Sequence, residues 1–208
     1  MKIVVATHNE NKLREMREVI ISETGLSDSD FELVSAGSLQ LPDVKETGVT
    51  FEENALIKAQ DVARRTGLPA VADDSGLIVE ILGKAPGILS ARWAGKHGDD
   101  KANIDLLLAQ LEDIPDENRG AYFRCAVALV IPDAQGGFIN KIHIGDMHGT
   151  IVRQRKGSNG FGYDPIFVPT EQEGTRTSAQ LSAQEKNAIS HRGKALRMLV
   201  KDIRELCA

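Results

Sequence analysis

The chain has 208 residues, 41% of them hydrophobic, and a formal net charge of −5, a balance that suits a globular protein with a sizeable core. Without a basic stripe, that charge argues against a nucleic-acid polymer as partner but leaves room for a small anion in a local positive pocket. Two cysteines, Cys125 and Cys207, form no disulfide framework, and the N-terminus enters directly into Lys2-Ile-Val-Val-Ala6, so the expectation is a reducing, cytoplasmic setting without signal peptide or membrane span.

Residues 2–6 read as a short buried strand. Leu13, Met16, Val19 and Ile20 recur at helical spacing, which puts Lys12 at a helix start. Phe31–Ser35 is a second strand candidate, followed by a loop through Pro42 and Gly48. Thr50-Phe-Glu-Glu53 has the capping-box pattern and predicts a helix running to Gly67. Ala70–Ala72 and Leu77–Ile81 look like strand pieces interrupted by Asp73-Asp-Ser-Gly76. A leucine-rich helix is expected from Ala102 to Leu111, and Tyr122–Ile131 with Phe138–Ile144 resembles a hairpin. Leu196, Leu199, Val200, Ile203 and Leu206 make one apolar stripe on a closing helix. Strands and helices are mixed rather than strictly alternating, which predicts an α/β class with a mixed sheet and flanking helices in one domain, 1–208, with no linker.

Several polar segments carry candidate chemistry. In Gly157-Ser-Asn-Gly-Phe-Gly-Tyr-Asp-Pro165, glycines let the backbone approach a ligand and expose its amides, while Phe161 offers a flat face for a nucleobase. Thr7-His-Asn-Glu-Asn-Lys12 places backbone amides, a hydroxyl and an ammonium at a helix N-terminus, which favours anions; it lacks the P-loop pattern, and taken alone it reads as a polar strand-to-helix turn, its weight coming from the other segments. Asp73-Asp74-Ser75-Gly76 is either a turn or a pair of hard oxygen ligands. Neighbouring strand residues face opposite ways, so both aspartates serve one metal only if the chain bends there; otherwise one ligates and the other braces. Asn54 and Lys58 share a helix face, as a solvated face or a phosphate contact. Glu46 is a loop acid or a further metal carboxylate. Ser182-Ala-Gln-Glu185 is another capping box, and beyond it Lys186, His191 and Arg192 present donors around an expected helix break, suiting a keto-bearing base edge. His8, His97, His143 and His148 lack zinc-ligand spacing.

These segments, with Thr50-Phe-Glu-Glu-Asn-Ala55, Pro86-Gly-Ile-Leu-Ser-Ala-Arg92 and Glu185-Lys-Asn-Ala-Ile-Ser-His-Arg-Gly193, resemble the inosine/xanthosine triphosphate pyrophosphatase family over nearly the whole chain. The resemblance implies an elongated mixed α/β fold with two lobes around a substrate cleft, a homodimer, Mg²⁺ dependence, and hydrolysis of ITP, dITP or XTP to the monophosphate and pyrophosphate. It implies phosphate contacts from Thr7, His8, Asn9, Glu10, Asn11 and Lys12, with Lys58 beside them. Asp74 would be the catalytic carboxylate and metal ligand, Ser75 a substrate contact, and Asp73 and Glu46 its acidic neighbours at the metal. Phe161, Gly162, Tyr163, Asp164, Lys186, His191 and Arg192 would hold the nucleoside. Gln180 stands where the pattern leads one to expect an acid, and residues 171–177 show no match. The rival readings are a Maf-like dTTP/UTP pyrophosphatase, opposed by the Ser-His-Arg and Phe-Gly-Tyr-Asp segments, and a nucleotide-binding regulatory protein without turnover.

Overall fold

The computed structural model describes residues 1–24 and 31–207. Six strands, β1 (Lys2–Val5), β2 (Glu32–Ser35), β3 (Ala70–Val79), β4 (Gly120–Pro132), β5 (Phe138–Ile151) and β6 (Phe167–Pro169), hydrogen-bond in the order β2-β1-β3-β4-β5-β6. β1 pairs in parallel with β2 and β3, whereas β5 and β6 are antiparallel, so the sheet is mixed as expected. The α-helices are α1 (Glu10–Thr24), α2 (Phe51–Thr66), α3 (Asp100–Gln110), α4 (Ala183–Ile189) and α5 (His191–Cys207). No described helix is long and apolar enough to cross a membrane.

The chain forms two compact units. The first comprises Met1–Asp74, Cys125–Ile144 and Arg192–Ala208; the second comprises Ser75–Arg124 and Gly145–His191. In the first, Ile3, Val5, Met16, Ile20, Val71, Val127 and Leu129 pack with the α5 stripe of Leu196, Leu199, Val200 and Ile203. Each such aliphatic side chain contributes about 1.5–3 kcal/mol of burial, so the stripe fixes α5 far more firmly than helix propensity does. Cys125 is a buried free thiol. In the second unit, Leu77, Val79, Ile104, Leu107, Phe123, Met147, Ile166 and Phe167 form a separate core.

Local signals placed several boundaries well. Thr50 caps α2 by accepting from the Glu53 amide, and Gly67 ends the helix. The Glu53 carboxylate, however, accepts from Val49 N at 2.7 Å rather than from Thr50, so only half of that capping box closes. Both arms of the Ser182–Glu185 box are present, and the helix breaks at Ser190 as expected. Gln180 closes its own box with Thr177, supplying the acceptor an acid would have offered. One expectation is corrected: Asp73-Asp-Ser-Gly76 does not interrupt β3, which runs unbroken from Ala70 to Val79.

Candidate active site

α1 opens on a set of side-chain caps. Thr7 Oγ1 accepts from Asn9 N at 3.1 Å, and Asn9 Oδ1 accepts from Lys12 N at 3.3 Å. His8 Nε2 donates to Leu41 O at 2.8 Å, with Nδ1 2.9 Å from Asp43 Oδ1. Glu10 accepts from Ser35 Oγ at 2.6 Å. His8 and Glu10 therefore hold the loop shape, whereas the Lys12 ammonium reaches beyond it to within 3.6 Å of Asp73 Oδ2. The Asn11 side chain lies outside the described residues.

Because β3 is continuous, Asp73 and Asp74 are adjacent on a strand and point opposite ways. They acquire different partners. Asp73 is buried and receives Arg192 Nε and Nη2, each at 3.2 Å, besides Lys12. Burial is the largest single influence on its carboxyl and raises its pKa, but Lys12, Arg192 and Lys58 together outweigh it and hold the group well below the usual carboxylate range. Asp74 accepts from Asn54 Nδ2 at 3.2 Å through Oδ2 and lies 3.4 Å from Lys58 Nζ through Oδ1. Burial pushes its pKa up to about 6; Lys58 and the Asn54 bond oppose the rise, while Glu46 and Asp73 add to it. Lys58 also donates to Glu46 Oε1 at 2.7 Å. Burial favours the neutral amine of Lys58, yet Asp74, Asp73 and Glu46 outweigh it and raise its pKa. The two neighbouring carboxylates are thus driven apart: the cations around Asp73 favour its charged form, while burial holds Asp74 up at about 6, a separation that suits divided acid and base roles.

In the second unit, the Gly157–Pro165 loop is fastened from several sides. Asn159 N donates to Ala179 O at 3.0 Å, Phe161 N to Asp164 Oδ2 at 2.9 Å and Gly162 N to Asp100 Oδ2 at 2.7 Å. The expectation of amides exposed to a ligand is therefore corrected at these positions, where the loop uses its own donors. Gly160 has φ +77°, and a Cβ there would lie 2.1 Å from Asp164 Oδ2, so glycine is what lets the Asp164 carboxylate close the turn. Tyr163 is buried and donates from its hydroxyl to Ser90 O at 2.9 Å; burial raises its pKa, with Asp100 adding to the rise. What the loop presents outward is Phe161, 61% exposed. Lys186 Nζ lies 5.0 Å from that ring's centroid and pairs with Asp164. His191 is buried and stacks on Phe123 at 5.0 Å between centroids. Ser75 is half-buried on β3.

Asp100, which holds Gly162, and the Arg192–Asp73 pair carried no sequence signal, since their partners lie 62 and 119 residues away. Asn54 was legible only as the residue one helical turn before Lys58.

Fold and site define a mixed α/β protein whose centre gathers carboxylates and ammonium groups suited to a polyphosphate. The chain belongs to the Ham1 family, whose model matches residues 3–202. A protein of Bifidobacterium animalis subsp. lactis named dITP/XTP pyrophosphatase is 58% identical over 234 aligned residues, covering 99% of this chain and 98% of the relative. A HAM1 protein structure from Coxiella burnetii matches with a TM-score of 0.86 and 44% identity, over 99% of both chains. The structure of a nucleoside-triphosphatase, dITP/XTP pyrophosphatase, from Mycobacterium abscessus matches at 52% identity and a TM-score of 0.76, over 96% of this chain and 98% of the other.

Proposed function

We propose that this protein hydrolyses non-standard purine nucleoside triphosphates (ITP, dITP and XTP) between the α and β phosphorus, releasing the monophosphate and pyrophosphate and so removing them from the nucleotide pool. The observation that carries the mechanism is the divided carboxylate pair: Asp73 neutralised by Arg192 and Lys12, Asp74 raised to about 6 beside Lys58. Asp74 accepts a proton from the attacking water and positions it. Lys12 and Lys58 stabilise the charge that gathers on the pyrophosphate as it leaves. Thr7 to Lys12 and Ser75 line the phosphate part of the substrate. Asp73, its charge already matched, braces the centre.

The donor set suits Mg²⁺. Glu46 and Asp74 already direct oxygens at one positive group, the Lys58 ammonium, at 2.7 and 3.4 Å. Among the described residues no group of three or more His, Cys, Asp or Glu side chains could hold a metal by itself, and Mg²⁺ is commonly bound through one or two carboxylates with substrate phosphates completing its shell. Glu46 and Asp74 hold it in this reading, with Asp73 as their acidic neighbour. When bound, the ion neutralises phosphate oxygens and orients water.

Phe161 stacks the purine, while Lys186, His191 and Arg192 face its carbonyl-bearing edge, with Gly162, Tyr163 and Asp164 shaping the loop. Adenine puts an amino group where hypoxanthine and xanthine have the C6 carbonyl, leaving a buried donor without its acceptor at a cost of about 1–3 kcal/mol. The protein works as a cytoplasmic homodimer in this reading.

The deciding experiment incubates ITP with protein and Mg²⁺ and separates the products by ion exchange. IMP and pyrophosphate are expected; IDP and orthophosphate as first products overturn the reaction. Phe161→Ala is expected to raise KM for ITP, XTP and ATP alike, since loss of stacking costs about 1–3 kcal/mol whatever the ring substituents. Steady-state kinetics on the three nucleotides check it.

A further inference from the structure

Asn54 is the fully buried polar residue of α2, 1% exposed, and neither of its amide atoms is idle. Oδ1 accepts from the Gly48 amide at 2.8 Å, and Nδ2 donates to Asp74 Oδ2 at 3.2 Å. The Gly48 N–H is only a donor, so it fixes which end of the amide is oxygen and leaves Nδ2 for the carboxylate. One helical turn later, Lys58 repeats the pattern, joining Glu46 at 2.7 Å to Asp74 Oδ1 at 3.4 Å. The loop bearing Glu46 is thereby laced to β3 through one face of α2. The close approach depends on Gly48: a Cβ there would fall 2.7 Å from Asn54 Oδ1 and 2.7 Å from Glu53 Cβ.

We infer that Asn54 is the positioning residue of this centre: by occupying Asp74 Oδ2 it turns Oδ1 toward Glu46 and Lys58 as the working oxygen, while its carbonyl holds the loop that delivers Glu46. The inference rests on the pyrophosphatase reading above. A hydrogen bond at one oxygen restrains rotation of the carboxylate plane, which favours one orientation of the other oxygen toward a reacting water. Both amide atoms of Asn54 are engaged within the protein, by Gly48 N–H and Asp74 Oδ2, so in this inference it acts through Asp74. Its loss therefore falls on kcat and spares substrate binding.

The test uses two variants on opposite sides of the same amide. Asn54→Asp keeps the size and the acceptor for Gly48 N–H but sets an oxygen against Asp74 Oδ2. Gly48→Ala keeps the Asn54 amide but crowds its Oδ1 from the loop, so Asn54 must shift against Asp74. Asn54→Asp is expected to lower kcat for ITP about 10- to 100-fold, with KM within about threefold of wild type and an unchanged far-UV circular dichroism spectrum. Gly48→Ala is expected to lower kcat in the same selective way but by less than about tenfold. A residue with only a structural role would lower the melting temperature and leave kcat per folded molecule intact. Wild-type kcat in either folded variant, or a loss carried by KM alone, overturns the inference. Failure of the wild-type protein to release pyrophosphate from ITP would instead overturn the underlying reading, so the two failures are distinguishable.

Discussion

Asp74→Asn is expected to lower kcat for ITP by about 10²- to 10⁴-fold while the protein stays folded, the range by which a positioned general base accelerates its reaction. Asparagine preserves the shape and can still sit between Asn54 and Lys58, but it cannot take a proton and offers the Lys58–Glu46 cluster no negative charge. The same residue sets the acid side of the pH profile. A carboxyl with its pKa at about 6 is in its base form above that pH, so kcat/KM should rise as pH increases and level off once Asp74 is ionised. Positive charge from a bound metal favours the ionised form and moves this limb to lower pH. In Asp74→Asn the residual rate should lose the limb. Near-normal turnover in the variant at saturating Mg²⁺, measured by pyrophosphate release, would remove Asp74 from the mechanism.

What was legible in the sequence depended on how local the signal was. The ends of α2 and α4 were readable because Thr50, Gly67 and the Ser182–Glu185 box act within a turn of their own positions. β3 was read as broken because Asp, Ser and Gly favour turns, yet the strand is held in the sheet between β1 and β4, and the ladder overrides local preference. β5 runs beyond the expected Phe138–Ile144 to Ile151, through Asp146, whose bonds at 2.9 and 2.7 Å from Arg124 of β4 supply a partner that hydropathy cannot see. β6 has three residues, too few to show a period, and depends on Gly149, where a Cβ would lie 2.3 Å from Val168 O. Lys12, Lys58 and Asp74 stood out in the sequence as candidates, and the structure gathers them with Asp73 and Glu46. The sorting of Asp73 from Asp74 was not legible there, because it comes from Arg192 across 119 residues and from unequal partners on the two sides of one strand.

Arg192 combines two roles that a pair of substitutions can separate. Its side chain and that of Asp73 are 6% and 7% exposed, and two guanidinium nitrogens converge on Asp73 Oδ2. Removing one partner of such a buried pair strands the other charge, so Arg192→Ala should destabilise the protein by about 3–5 kcal/mol, read as a lower urea midpoint at unchanged slope. Lys12, 3.6 Å from Asp73 Oδ2, keeps part of the compensation and places the expected value toward the lower end. Replacing both partners, Asp73→Asn with Arg192→Met, removes the stranded charge and fills the space, so much of the lost stability should return. That folded double variant then isolates base recognition. If Arg192 also donates to the C6 carbonyl, its kcat/KM for ITP falls relative to ATP by about tenfold or more, because ATP never offered that donor an acceptor. Loss of the phosphate-side charge at Asp73 acts on both nucleotides equally and cancels in the ratio. A double variant that regains stability yet keeps the wild-type ITP:ATP ratio would leave the buried pair standing as a structural brace and assign discrimination to Lys186 and His191 alone.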